Sequence, residues 1–483
     1  MQPSQASTEP AEPAFTSPPP ANIWVSGSLR AGALVFAVSF VVFALSPVIT
    51  NYDSYSSFPT AVSLVNHHTL SLQPFKSVPT LAHSYTVSLV HGRLMTGYPW
   101  VAALAFVPTV VAIDLLHLLG GPSADHLVVA NQMGIVQMET ASFIVALACA
   151  VLAVVAFERV SGDARARLRC AVVVGLLFAF GTSAWSLASR SLWQQAPGFL
   201  CVAGGLLNYS RITSRPERGA RYAAFAGALF SLAVAVRPTN AIALGIGFLL
   251  LAARRRREAT AFLVGSLVVL IPWMVVTHAA FGTWLQPYDM SDHRGINSAF
   301  LDALAANLVS PARGILIFSP LCLLAIPGAR LARRAGTFDA TSLLSALAIP
   351  CYLVLVSAFT AGWWGGNTYG PRLMSDAFPF IFILALPVAE WARSNWREST
   401  SKRAIAGIAL VSLASVAFNA EGGVLRSTTC WNGKPGTSHN VDEDPGRVWS
   451  WSDPQFLSGF RSLTTLSIHR SILSTCSGPG SSA

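Results

Sequence analysis

Apolar residues in this chain come in long unbroken runs rather than in the two- or three-four-residue rhythm of a soluble strand or surface helix. About a dozen runs of roughly 15–23 residues recur between Arg30 and Asn419, and most are long enough to cross a hydrocarbon core of about 30 Å as a helix. Short polar stretches rich in Gly, Pro, Asn and Arg separate them. The pattern predicts an all-α integral membrane bundle with small polar ends.

The positions of the basic residues set a topology. Arginines cluster at segment ends: Arg165, Arg167 and Arg169; Arg211, Arg215, Arg218 and Arg221; Arg254 to Arg257; Arg330, Arg333 and Arg334; Arg393, Arg397, Lys402 and Arg403. Such clusters mark the cytoplasmic side. All of them fall there only if the run at 98–119 does not cross. That run holds Pro99, Pro108 and Asp114, ends at Gly120-Gly121-Pro122, and reads as a juxtamembrane or re-entrant helix. About eleven spans remain, at 31–48, 137–157, 168–188, 196–212, 221–235, 239–253, 259–280, 314–329, 339–359, 376–392 and 403–419.

The expected organisation is a disordered cytoplasmic tail at 1–29, a transmembrane domain at 30–420 and a small extracytoplasmic tail at 421–483. The outer loops are expected at 51–136, with juxtamembrane helices, and at 281–313 and 361–375. The polar, Pro-rich start is too long before the first apolar run to read as a cleavable signal. The N-terminus is placed in the cytoplasm, the C-terminus outside, and the whole in the cell (inner) membrane.

Composition agrees with this class. Hydrophobic residues make up 53% of 483 and charged residues 11%, where a soluble chain carries about a quarter; mean hydropathy is +0.52. The net charge of +10 does not point to nucleic acid, because the basic residues anchor segment ends and form no stripe interleaved with aromatics. No Walker loop, GxGxxG or hydrolase elbow is present. The histidines lack zinc-motif spacing.

Candidate chemistry gathers in the outer loops. Asp53 follows the first span, where a carboxylate can take a proton from an attacking hydroxyl or amine; capping the next short helix with Ser54 is the plainer account. Arg190, Arg237, Arg313 and Arg372 lie on the same side, and a guanidinium fork suits phosphate. Interfacial snorkelling explains any one of them. The turn at Arg237-Pro238 joins two short runs and should sit below the membrane surface, where a charge faces a wet cavity or an ionic ligand.

Tyr55, Trp193, Tyr288, Asp289, His293, Trp364, Asn367 and Tyr369 are candidates to line a substrate. The tryptophans serve equally as interfacial belt residues. Cys430 and Cys476 bracket the C-terminal tail, and an oxidising compartment would let them pair. The other five cysteines read as small core residues.

These residues resemble the GT-C glycosyltransferases, in particular bacterial relatives of protein O-mannosyltransferases and of the lipid A aminoarabinose transferase. The resemblance rests on Asp53 after the first span, the segment Gly92 to Pro99, and Ser189-Arg190-Ser191-Leu192-Trp193. It continues through Arg237-Pro238-Thr239, Ser310-Pro311-Ala312-Arg313-Gly314, the stretch Trp364-Gly365-Gly366 to Pro371-Arg372, and the tail piece Arg447 to Gln455. A second acidic residue beside Asp53 and a Pro-Pro-Leu signature, both found in protein mannosyltransferases, are missing here.

The resemblance implies single-step transfer from a polyprenyl-phosphate sugar to a lipid, glycan or protein acceptor. Asp53 would be the base, and the arginines would hold the leaving phosphate. A monophosphate surrounded by cations implies no obligatory metal. A transporter or lipid flippase would also line an outward cavity with arginines, but its inverted repeats are not visible in the sequence.

Overall fold

The computed structural model describes residues 21–50, 53–286, 297–433 and 440–465. Helices of eight or more residues are numbered in chain order. They are α1 (Ala21–Leu45), α2 (Ser57–Asn66), α3 (Val107–His117), α4 (Met133–Arg159), α5 (Ala164–Gly181), α6 (Gln195–Ser214), α7 (Gly219–Val236) and α8 (Ala241–Ala252). Then follow α9 (Arg256–Phe281), α10 (Phe300–Val309), α11 (Ala325–Arg334), α12 (Ala340–Ser357), α13 (Phe378–Asn395), α14 (Lys402–Val424) and α15 (Ser458–Thr465).

Each of the eleven expected segments is largely helical. Among the described residues, eight helices are long and apolar enough to cross a membrane. Four of the expected segments lie outside that set. α5 opens with Arg165, Arg167 and Arg169, α6 carries a polar C-terminal half, and α8 has only 12 residues. The segment at 314–329 is broken: Ile315–Phe318, then a 3-10 turn at Pro320–Leu324, then α11. Pro320 lacks the amide that would continue the helix.

Other differences are local. Helix α1 starts at Ala21, inside the stretch expected to be tail to 29. An antiparallel hairpin, β1 (Val87–Val90) with β2 (Arg93–Thr96), departs from an all-helical reading. Its turn, His91-Gly92, has positive φ at both residues, 49° and 75°, the backbone that a tight hairpin requires.

Small residues let the helices touch. A Cβ on Gly227 of α7 would stand 2.1 Å from the Phe262 carbonyl of α9, and one on Gly265 would stand 2.0 Å from the Ala224 carbonyl. Neither position admits a larger residue, as expected where helices associate through backbone contact.

The bundle has two unlike ends. At one, Arg159 bonds Asp339, Arg211 and Arg215 bond Glu158, and Arg393 donates to the Ser161 carbonyl. At the other lie Asp53, the 189–194 and 363–372 turns, and the C-terminal tail. The tail is docked there by Arg426 on the Pro47 carbonyl, Trp449 on Asp302 and Gly459 on Glu421.

The segment at 98–119 meets the length and composition of a span over Trp100–His117. Tyr98, just before it, lines a cleft with Asp53, and Gln137, near the start of α4, accepts from Ser54 at 2.8 Å.

Candidate active site

The cleft begins with how the end of α1 is closed. The last turn of a helix leaves carbonyls without partners. Here Arg190, fully buried, donates to the Phe43 carbonyl at 2.6 Å and the Ser46 carbonyl at 2.9 Å. The Thr50 amide reaches the Arg190 carbonyl at 3.2 Å, and Trp193 Nε1 donates to the Thr50 carbonyl at 2.6 Å. The turn between α5 and α6 therefore fixes the chain from Ser46 to Thr50, shortly before Asp53. Arg190, expected to hold an anion, spends its guanidinium on backbone carbonyls and the Ser189 hydroxyl.

Asp53 meets Arg372 in an ion pair, Nη2 to Oδ2. Tyr85 donates to Oδ1 at 2.8 Å. Arg372 also lies over the Trp193 ring, 4.0 Å from its centroid, a face that attracts cations. Burial raises the Asp53 carboxyl pKa, but the Arg372 charge and hydrogen bonds from Tyr85, Arg372 and Tyr98 outweigh it, and the net shift is downward. Asp53, Tyr98, Trp193, Gln194 and Arg372 line a cleft of about 250 Å³. Gln194 Nε2 is a buried donor with no partner among the described residues.

Arg237 is close behind but differently engaged. Its Nη1 is 3.0 Å from Asp376 Oδ2, with both side chains buried. It also contacts the Ser375 hydroxyl and the Leu373 carbonyl at 3.4 Å. Thr239 donates to Asp376 at 2.9 Å, and Ser375 donates to the Arg372 carbonyl at 2.6 Å. The Arg237 turn is buried, at the end of an 18-residue α7, and its counter-ion is Asp376. That pair grips the segment from which Arg372 projects.

Arg313 is buried too, bonded to the carbonyls of Trp364, Ala312 and Gly366 and to Gln455. It ties the 363–372 turn to the tail. All four expected anion ligands have protein partners, and Arg372 alone of the four lines the Asp53 cleft.

The other expected residues separate. Trp193, Asn367 and Tyr369 line a neighbouring polar pocket of about 400 Å³, with Trp193 as the shared wall. Trp364 donates to Asp442 at 2.6 Å and Tyr55 to Asn131 at 2.7 Å, both away from Asp53. Tyr288, Asp289 and His293 lie outside the described residues. Cys430 is disulfide-bonded; Cys476, its expected partner, lies outside the described residues. Cys149, Cys170, Cys201, Cys322 and Cys351 are free. No group of three His, Cys, Asp or Glu suited to a metal occurs among the described residues.

Sequence reasoning missed Tyr85, Tyr98, Gln194 and Asp376 as site residues. Tyr98 precedes Pro99 inside the segment Gly92 to Pro99, and Asp376 stands four residues after Arg372, so both had a local signal. Tyr85 reaches Asp53 only through the hairpin.

No protein-family model and no curated protein matches the chain. Among solved structures, it is similar to that of ArnT from Cupriavidus metallidurans bound to undecaprenyl phosphate. The identity is 15% and the TM-score 0.44, over 85% of this chain and 69% of that one. A similarity at that level assigns neither fold family nor substrate. The fold and cleft themselves define a multi-pass helical membrane protein with a paired carboxylate and guanidinium at one end.

Proposed function

We propose that the chain is a membrane glycosyltransferase of GT-C type, moving a sugar from a polyprenyl-phosphate donor to an acceptor at the loop-rich end of the bundle. The observation that carries this reading is the meeting of Asp53 with Arg372 in one cleft. A hydroxyl or amine of a lipid, glycan or protein acceptor attacks the anomeric carbon as its bond to phosphate breaks. The acceptor's proton passes to Asp53. The negative charge on the departing polyprenyl phosphate develops against Arg372, whose planar fork suits two phosphate oxygens.

The ion pair acts as a resting state. A donor phosphate competes with Asp53 for the guanidinium. Once Arg372 turns to phosphate, the carboxylate loses the charge that depresses its pKa and becomes a better base. No metal is required for a monophosphate leaving group on this route. The loop-rich end faces outward and the arginine-clustered end the cytoplasm of a cell (inner) membrane.

The test is transfer by the purified, reconstituted protein from radiolabelled polyprenyl-phosphate sugars to membrane acceptors. Wild type transfers label from at least one donor. Asp53→Asn lowers the rate roughly 10²–10⁴-fold, the usual cost of a lost general base, while still binding donor. Near-native turnover in that variant overturns the assignment of the base. Absence of transfer or donor binding across pentosyl and hexosyl donors overturns the reading.

A further inference from the structure

A second cavity lies between α11, α12 and α13, on the flank of the bundle. With its open side included it measures about 1130 Å³, and it is lined almost wholly by aliphatic side chains, from Leu308 and Met374 at one end past Ala346 and Leu353. Helix α11 forms its floor by close contact with α13: a Cβ on Gly328 would stand 2.0 Å from the Leu384 carbonyl. Ile326 and Leu323, which also line it, are exposed at 57% and 44%, so it opens sideways where a membrane's hydrocarbon would be.

Its ionisable lining residues are Arg330 and Arg333. Both are exposed. Neither is ion-paired among the described residues. The contrast with the polar cavity at the same end is informative. That cavity is also lined by an arginine, Arg159, but there Asp339 receives both guanidinium nitrogens, at 2.8 and 2.9 Å. The protein neutralises the arginine of the polar cavity and leaves the two at the apolar groove without a carboxylate. The Arg333 guanidinium lies over the Phe338 ring, 4.7 Å from its centroid, a cation–π contact that holds the head beside the groove.

We propose that this groove holds an acyl chain of an anionic glycerophospholipid, with the headgroup phosphate on Arg330 and Arg333. Reach favours a bilayer lipid over a long isoprenoid. The α12 positions that line the groove, Ala346 to Leu353, rise about 10 Å. One leaflet of a hydrocarbon core of about 30 Å is about 15 Å deep, so the groove takes most of one chain from the leaflet at the arginine-clustered end. The head sits at the opposite end of the bundle from Asp53. The inference is independent of the transferase reading. The bound lipid buttresses α13 just after the segment that carries Arg372, because Met374 is part of the groove wall.

The experiment uses the full-length protein in phosphatidylcholine micelles titrated with dioleoylphosphatidylglycerol, with retained lipid counted by native mass spectrometry. Phosphatidylglycerol is retained roughly ten- to thirtyfold more tightly than phosphatidylcholine, the scale set by two interfacial arginines. R330Q/R333Q removes that preference, Ile326→Trp narrows the groove and weakens retention of both lipids, and Arg372→Gln leaves the lipid preference unchanged. Equal retention of the two lipids by wild type overturns the proposal. So does an unchanged preference in R330Q/R333Q, or a loss in Arg372→Gln, which would put the anion site at the other end. Should the double variant fail to fold, phosphatidylglycerol with a photoreactive chain is crosslinked to wild type. Adducts on α11, α12 or α13 support the site, and adducts confined elsewhere overturn it.

Discussion

The two ends of the bundle use arginine in opposite ways. At the clustered end, Arg159, Arg211, Arg215 and Arg255 are each 18–40% exposed and pair with Asp339, Glu158 and Glu258. Such pairs are hydrated and screened, and typically contribute about 0–1 kcal/mol. At the loop-rich end, Arg190, Arg237 and Arg313 are nearly inaccessible, and Arg372 is 12% exposed. A buried guanidinium without full hydrogen bonding is costly, so each of these dictates the position of what it touches. Arg190 fixes the end of α1, Arg313 fixes the 363–372 turn to the tail, and Arg237 fixes Leu373 to Asp376. Together they hold the pieces that bring Arg372 to Asp53. Arginine count alone does not distinguish anchoring from site building; burial and the identity of the acceptor do.

The sharpest break of that comparison is Asp376→Leu. It strands Arg237 in the interior, and removing one partner of a buried pair costs about 3–5 kcal/mol. The thermal unfolding midpoint in detergent falls accordingly. In the double variant Arg237→Met/Asp376→Leu most of the loss returns, because neither charge is left alone. At the clustered end, Glu158→Gln costs less than about 1 kcal/mol. Equal losses at the two ends would end the distinction drawn between them.

A smaller effect separates Arg372 from its neighbours. Arg372→Lys keeps the charge but loses the fork and the flat contact with Trp193. Donor binding, measured by quenching or filter retention of a polyprenyl-phosphate sugar, weakens by about 1–3 kcal/mol. Arg313→Lys, whose native contacts are carbonyls and Gln455, lowers stability and leaves the affinity of the folded fraction unchanged. Unchanged donor affinity in Arg372→Lys would make Arg372 a structural residue like the other three.

Much of this architecture was legible along the chain, and the reason is physical. A span must be apolar for roughly 20 residues, so the seven expected segments that are long and apolar enough in the structure announce themselves, and Pro238 marks the Arg237 turn because proline cannot continue a helix. The break at Pro320 was signalled in the same way, but a continuous apolar run masked it. The partners of the arginines were not legible. Arg190 meets carbonyls of Phe43 and Ser46, which any residue supplies, so no side-chain pattern points to them. Asp53 and Arg372 come together only through tertiary packing of α1, the α5–α6 turn and the 363–372 turn. Of the four arginines expected to hold an anion, Arg372 lines the Asp53 cleft, and Arg237 pairs with Asp376, a partner that its own turn does not announce.

The smallest expected effect concerns the pH dependence of stability. The folded-state pKa of Asp53 is depressed: burial opposes ionisation, but Arg372 and the bonds from Tyr85 and Tyr98 overcome it. The unfolded chain therefore binds a proton at higher pH than the folded one. Where that holds, stability rises with pH. The contribution of Asp53 is fully present above the ordinary aspartate pKa of about 3.9 and is lost as pH falls through the lower folded value. Above neutrality the group adds nothing further, since both states are ionised. In a thermal scan from pH 7 downward, wild type loses this increment only in the acid range, on top of whatever other carboxylates contribute. Asp53→Asn, which cannot ionise, shows a shallower acid slope and has its largest deficit relative to wild type at neutral pH. Adding donor to wild type draws Arg372 toward phosphate and moves the slope toward that of the variant. Parallel acid limbs for wild type and Asp53→Asn would mean that the ion pair leaves Asp53 titrating as it does in the unfolded chain. In that case Arg372 would not be the group that controls it.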